Sequence, residues 1–193
     1  MGNSESKSQL KQRQIFIITA AKACFSRSGF HGASMSDISR ESGLGAGQLY
    51  RYFNSKDLLV NETVKNISQL WHVFLQKSFS LPFIIEDIVD MKSDFWKDWS
   101  HQDRCLLLEV YSEASRNNVV RNILAHEEQL LIKALENIFQ EKMPALSSKQ
   151  RTNRINFLLI LVDGVVCRTF NDSNMNKEEL TRLSGILTRH LLC

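Results

Sequence analysis

An all-α fold of about nine helices is predicted by three features of this 193-residue sequence. The chain has two prolines, Pro82 and Pro144, and no glycine between Gly47 and Gly164, so a long tract lacks the residues that punctuate hairpins and tight turns. Apolar residues recur at three- and four-residue spacing in segment after segment, the period of a helix with one buried face. Apolar residues make up 43% of the chain, enough to fill a core.

Taken in order, Leu10 to Ser28 places Ile15, Ile18, Ala21 or Ala23, and Phe25 on one stripe, and Gly29 stands where a helix C′ residue is expected. Ser34 and Asp37 form a capping-box pattern that starts a short second helix, Met35 to Glu41, which must stop at Ser42-Gly43. A third helix is predicted from Ala46 to Tyr52. A fourth, capped by Asn54 or Ser55, runs on to Phe79.

After Pro82, residues 83–99 read as one amphipathic helix, with Ile84, Ile88, Met91, Phe95 and Trp99 on one face and Asp87, Asp90, Asp94 and Asp98 on another, solvated face. Residues 103–116 and 118–143 read as two more helices, the second ended by Pro144. In residues 147–170 the pattern is apolar almost all round after Ile155, and the last helix carries a stripe of Leu180, Leu183, Ile186 or Leu187, and His190 or Leu191.

Composition narrows the function. The four cysteines form no CxxC pair, and no apolar run approaches the roughly 20 residues that span a bilayer, so a reduced, cytosolic protein outside the membrane is expected. The N-terminal MGNSES fits the M-G-x-x-x-S pattern of N-myristoylation, but a flexible polar arm over residues 1–10 accounts for it. Residues 1–60 hold eight Lys or Arg against four acids, while the rest of the chain holds 16 against 17, which points to an anionic partner for the N-terminal part.

The stretch ESGLGAGQLYRYFNSKDLL, residues 41–59, holds Gly43, Gly45 and Gly47. A dinucleotide cradle needs G-x-G-x-x-G directly after a strand. Here the third glycine comes one residue early, and a helical segment precedes it. A Walker loop would need Lys-Ser or Lys-Thr after a suitable glycine, and none follows.

A helix-turn-helix motif over about residues 34–53 accounts for more of these residues: Gly43 supplies the turn, Ile38 and Leu49 face the core, and Ala46, Gly47, Gln48, Tyr50, Arg51 and Tyr52 are left to meet DNA. Gln48 suits adenine edges, Arg51 guanine or phosphate, and the tyrosine hydroxyls phosphate, while Gly47 lets the backbone come close.

Helix one ending in CFSRSGF, followed by ASMSDISRESGLGAGQLYRYFNSKDLL, resembles the N-terminal region of the tetracycline-repressor (TetR) family of bacterial transcriptional regulators. Ser34, Asp37, Ile38, Gly43, Gly47, Leu49, Tyr50, Tyr52, Phe53, Lys56 and Leu59 carry the resemblance, which covers about residues 11–70. It implies DNA contacts from Ser34, Gly47, Gln48, Tyr50, Arg51 and Tyr52, with Lys56 near the phosphate backbone. Gly45 and Ala46 depart from the family pattern of a hydroxyl and a cation, which shifts weight to Arg51 and to Lys7, Lys11 and Arg13.

For residues 71–193 the resemblance implies an effector-binding and dimerisation domain, whose last two helices form a four-helix interface in a homodimer. The expected whole is a repressor of double-stranded operator DNA, released by a small lipophilic effector. Trp71, Phe74, Phe95, Trp96, Trp99, Glu109 and Tyr111 are the expected effector contacts. Glu109 and Asp163 sit in apolar runs, where an unpaired carboxylate is costly, so each needs a partner or a ligand.

No catalytic residue, metal ligand or cofactor is expected, because the five histidines are far apart and neither H-E-x-x-H nor G-x-S-x-G occurs. The rival expectation is a helical adaptor that binds protein through its aromatic surface and leaves DNA alone.

Overall fold

The computed structural model describes residues 7–170 and 176–191; the first six residues of the arm, with the MGNSES pattern, lie outside the described residues. Among the described residues there are nine α-helices and no strand. They are α1 (Lys7–Gly32), α2 (Met35–Ser42), α3 (Ala46–Tyr52), α4 (Lys56–Ser80), α5 (Ile85–Val89), α6 (His101–Ala114), α7 (Asn118–Lys142), α8 (Ser148–Cys167) and α9 (Lys177–Leu191). The first of these starts at Lys7, inside the segment expected to be an arm.

The chain divides into two compact units, residues 1–68 with 105–124 and residues 69–104 with 125–193. In the first unit α1, α2 and α3 pack together around Ile17, Ala21, Phe25, Ile38 and Leu49, each almost fully buried. Burying an isoleucine, leucine or phenylalanine side chain is worth about 1.5–3 kcal/mol. The rings of Phe25 and Phe30 meet edge to face at 5.0 Å across a break in α1. Gly29 makes that break at φ 70°, ψ 169°, a conformation that an L side chain rarely adopts.

The second unit is built on aromatic packing. Trp71 and Phe74 of α4 stack at 5.3 Å, and both reach Trp96 and Trp99. Phe79 carries the cluster on to Phe139 of α7. Here α5 packs on α8 and α9, where the amide of Ile85 donates to Thr188 Oγ1 at 3.1 Å.

The single amphipathic helix expected over residues 83–99 does not form. After α5 the backbone turns extended at Asp90, and only one 3₁₀ turn, Asp94–Trp96, follows. Short polar side chains compete for the backbone there. Asp90 Oδ1 accepts from the amide of Lys92 at 2.9 Å, Ser93 Oγ accepts from that of Phe95, and the Ser93 hydroxyl donates to the carbonyl of Asp87. The break turns Trp96 and Trp99 inward together, both 3% exposed.

Candidate nucleic-acid interface

Local chemistry sets the helix-turn-helix. Ser34 Oγ accepts from the amide of Asp37 at 3.1 Å, and Asp37 Oδ2 accepts from the amide of Ser34 at 3.0 Å, which closes the capping box anticipated from the sequence. The hydroxyl and amide of Ser34, followed by Arg40, hold the Asp37 carboxyl below the usual carboxylate range. The second helix ends at Gly43, in the left-handed region at φ 66° and ψ 10°. Buried Ser42 ties the turn internally, donating to the carbonyl of Ser39 at 3.1 Å and accepting from the amide of Leu44 at 3.4 Å.

On α3 the inward positions are clear: Leu49 is fully buried and Phe53, its C-cap, is 2% exposed. Ala46, Gly47, Gln48, Tyr50 and Arg51 are exposed and Tyr52 is half-buried. Among the described residues, a Cβ built at Gly47 would meet no atom of another part of the chain within 4 Å, so the surface around it is open. Gln48 is not idle, because its Oε1 accepts from the amide of Gly45, the N-cap of α3, at 3.3 Å.

Lys56 has work inside the fold. Its Nζ donates to the carbonyl of His31 at 3.1 Å, tying the start of α4 to the end of α1. Ser55 is the residue that caps α4, its Oγ accepting from the amide of Leu58 at 3.1 Å.

The residues expected to contact an effector are divided between the two units. Trp71, Phe74, Phe95, Trp96 and Trp99 come together in the second unit. Trp96 Nε1 donates to the carbonyl of Ile88 at 2.9 Å, whereas Trp99 Nε1 is buried without a hydrogen-bond partner among the described residues. Glu109 and Tyr111 lie on α6 in the first unit. There Glu109 Oε1 accepts from the amide of Phe30 at 2.8 Å, so this carboxylate has a protein partner, and half-buried Tyr111 stands two residues further on.

Two buried acids escaped the sequence reading. Glu113, one turn beyond Glu109, sits 3.0 Å from His31 Nε2, accepts from Asn117 Nδ2 at 2.9 Å and pairs with Arg116 at 2.8 Å. Burial raises its pKa, but the bonds from Asn117 and His31 and the charge of Arg116 outweigh that and hold it below the usual range. In the second unit Glu127 lies 3.6 Å from His72 Nδ1 and accepts from Gln69 Nε2 at 3.2 Å. Burial pushes the His72 imidazole down, against the pull of Glu127. Neither acid stands in an apolar run, the signal that singled out Glu109, so the sequence offered only their helical register.

The comparisons with known proteins agree with this geometry. Residues 17–63 match the model of the bacterial regulatory proteins, tetR family. The HTH-type transcriptional regulator UidR of Escherichia coli K12 is 24% identical over 135 residues, which span 68% of this chain and 65% of UidR, just under two thirds of that relative's length. RutR of the same strain is 27% identical over 101 residues, 51% of this chain and 48% of RutR. Among solved structures, Salmonella enterica GusR superposes with a TM-score of 0.72 at 23% identity, covering 99% of this chain and 100% of GusR. The transcriptional regulator FadR from Bacillus subtilis, in complex with stearoyl-CoA, superposes at 0.62 with 17% identity over 92% of this chain and 97% of FadR. The capping box, the glycine turn and the short exposed helix all lie within residues 17–63, the segment that matches the tetR family of bacterial regulatory proteins.

Proposed function

We propose that this chain is a cytoplasmic, homodimeric transcriptional repressor that reads double-stranded operator DNA with α3 and is released by a small lipophilic effector. The observation that carries it is the division of α3 into a buried side, Leu49, and an outward side, Gln48, Tyr50 and Arg51, with open space at Gly47. A short helix with that division suits a major groove, where donors and a cation meet base edges and phosphates. Ser34 and Lys56 stand at the ends of the motif as phosphate contacts; Lys56 keeps two further N–H donors beside the one it gives to His31.

The homodimer draws support from α8 and α9. One face of α8 is buried at Ile155, Leu158, Val162 and Val166, while Phe157 and Ile160 are 42% and 70% exposed. On α9, Leu183 and Ile186 are 40% and 38% exposed. Apolar stripes of this kind on two neighbouring helices are what a two-fold interface covers, and a two-fold protein matches a pseudo-palindromic operator.

For the effector, the aromatic cluster of the second unit is the favoured lining, with Trp99 Nε1 as a donor in want of an acceptor. FadR's stearoyl-CoA is a lipophilic ligand of the same general kind. Glu109, already bonded to Phe30, is assigned to holding α1 rather than to the effector.

The test is selection of bound fragments from random duplex DNA, followed by binding isotherms at several salt concentrations. Enrichment of a two-fold-related sequence, with affinity falling as salt rises, is expected. No enrichment, with affinity for a protein partner instead, would establish the helical adaptor in its place.

A further inference from the structure

We propose that Gln48 selects guanine, not adenine, in each half-site, because its side-chain oxygen is committed to its own helix. The inference rests on the DNA-reading role of α3 put forward above.

Gly45 is the N-cap of α3, with extended backbone at φ −63° and ψ 148°, and it has no side chain with which to cap anything. The cap is made from the other side. Gln48 sits three residues into the helix, its amide donates to the carbonyl of Gly45 at 2.9 Å, and its Oε1 turns back to accept from the amide of Gly45 at 3.3 Å. Because the backbone amide of Gly45 can only donate, the atom facing it must be the oxygen of the carboxamide.

What remains for a partner is Nε2, with two N–H donors, on an exposed residue next to the open surface at Gly47. In the major groove guanine offers two acceptors side by side, N7 and O6. Adenine offers one acceptor and one donor, and a glutamine reads it by presenting oxygen and nitrogen together in one plane. An oxygen drawn back toward residue 45 is withdrawn from that plane, whereas the two N–H groups suit guanine as they stand. Adenine readout would require the carboxamide to leave Gly45, with the helix losing that part of its cap.

Selection from random duplex DNA with the wild-type chain, Gln48→Ala and Gln48→Glu tests this. The glutamate keeps an oxygen for the Gly45 amide but has no donor, and a carboxylate accepts from cytosine N4. Expected are a guanine at one position of each half-site for the wild type, its replacement by cytosine for Gln48→Glu, loss of preference there for Gln48→Ala, and unchanged preferences elsewhere. Changing that guanine to adenine should weaken wild-type binding roughly 5- to 150-fold.

An adenine at the position that responds to Gln48, or selected sequences identical for all three proteins, overturns the assignment while leaving DNA reading by α3 intact. A wild-type chain that enriches nothing refutes DNA reading itself, and the base assignment with it. Circular dichroism of both variants, expected to show the wild-type helical content because the side chain is exposed and the backbone bonds from Gln48 and Leu49 to the Gly45 carbonyl remain, separates lost readout from lost fold.

Discussion

Glu109 on α6 and Phe30 at the end of α1 are joined by one hydrogen bond, from the Phe30 amide to Glu109 Oε1 at 2.8 Å. The bond lies beside the backbone break at Gly29, where an added Cβ would come within 3.0 Å of the same oxygen. A carboxylate in an apolar helix is therefore explained by a backbone donor that the helix break leaves open.

Glu109→Ala should destabilise the protein by about 1–3 kcal/mol, the cost of an unmet donor beside a side chain that is 2% exposed. Glu109→Gln keeps an acceptor and should lose less. Gly29→Ala combines a φ of 70° with the close approach to Glu109 and should cost at least about 1 kcal/mol. Urea unfolding, with hydrogen exchange followed at Phe30, checks all three; stability unchanged in Glu109→Ala would remove the bond from the account.

Stability should fall as the solution is acidified below neutrality, and His72 should contribute to the fall. Burial depresses its folded pKa, so the unfolded chain binds the proton more readily and stability rises with pH across the window below the ordinary histidine value of about 6.5. His72→Gln, which retains a donor for Glu127, should flatten the profile between about pH 7 and the lowered folded pKa. Glu113, also depressed, acts lower: its stabilisation is complete above the ordinary glutamate value of about 4.3 and is lost as pH drops through the folded value. Thermal melts of wild type, His72→Gln and Glu113→Gln over that range decide between these windows.

Charging α8 should give two different results according to which face is struck. Ile160 is 70% exposed in the single chain, so Ile160→Glu should yield a folded monomer with weakened DNA binding. Val166 is fully buried, and Val166→Glu should unfold the second unit, because a lone carboxylate there has no partner. Sedimentation and circular dichroism separate the outcomes. A wild-type chain that is monomeric at every concentration, or an Ile160→Glu chain that stays dimeric, counts against this seam.

Arg51→Ala should cost about 1–3 kcal/mol of operator binding and relax one position in each half-site if the guanidinium meets a base. Lys56→Ala should behave differently from a pure phosphate contact. Affinity should drop for all sequences alike, and thermal stability should drop too, since the Lys56 ammonium also holds the carbonyl of His31. Isotherms at several salt concentrations and a melting curve resolve the two roles; a Lys56→Ala chain with wild-type stability would confine the residue to DNA.

The helix-turn-helix was legible in the sequence because its determinants act over a few residues. The Ser34–Asp37 box spans three positions, Gly43 is required by a single left-handed φ, and the buried and exposed sides of α3 follow from helical period alone. The break after α5 misled that reasoning. Apolar spacing through Phe95 and Trp99 is helical on paper, and only the competition of Asp90 and Ser93 for backbone groups ends the helix.

Sequence by itself determined the helical class, the placement of α3 and the aromatic supply of the second unit, since propensity, capping and periodicity are local quantities. Tertiary structure alone decided the long-range partners of the polar groups. Glu109 meets an amide 79 residues away in sequence, Gln69 meets Glu127 at a separation of 58, and Lys56 reaches back 25 residues to His31. A buried charge must find a donor somewhere, and sequence states that need without naming the donor. Which donor it is depends on which backbone groups the packing of apolar faces leaves open beside it.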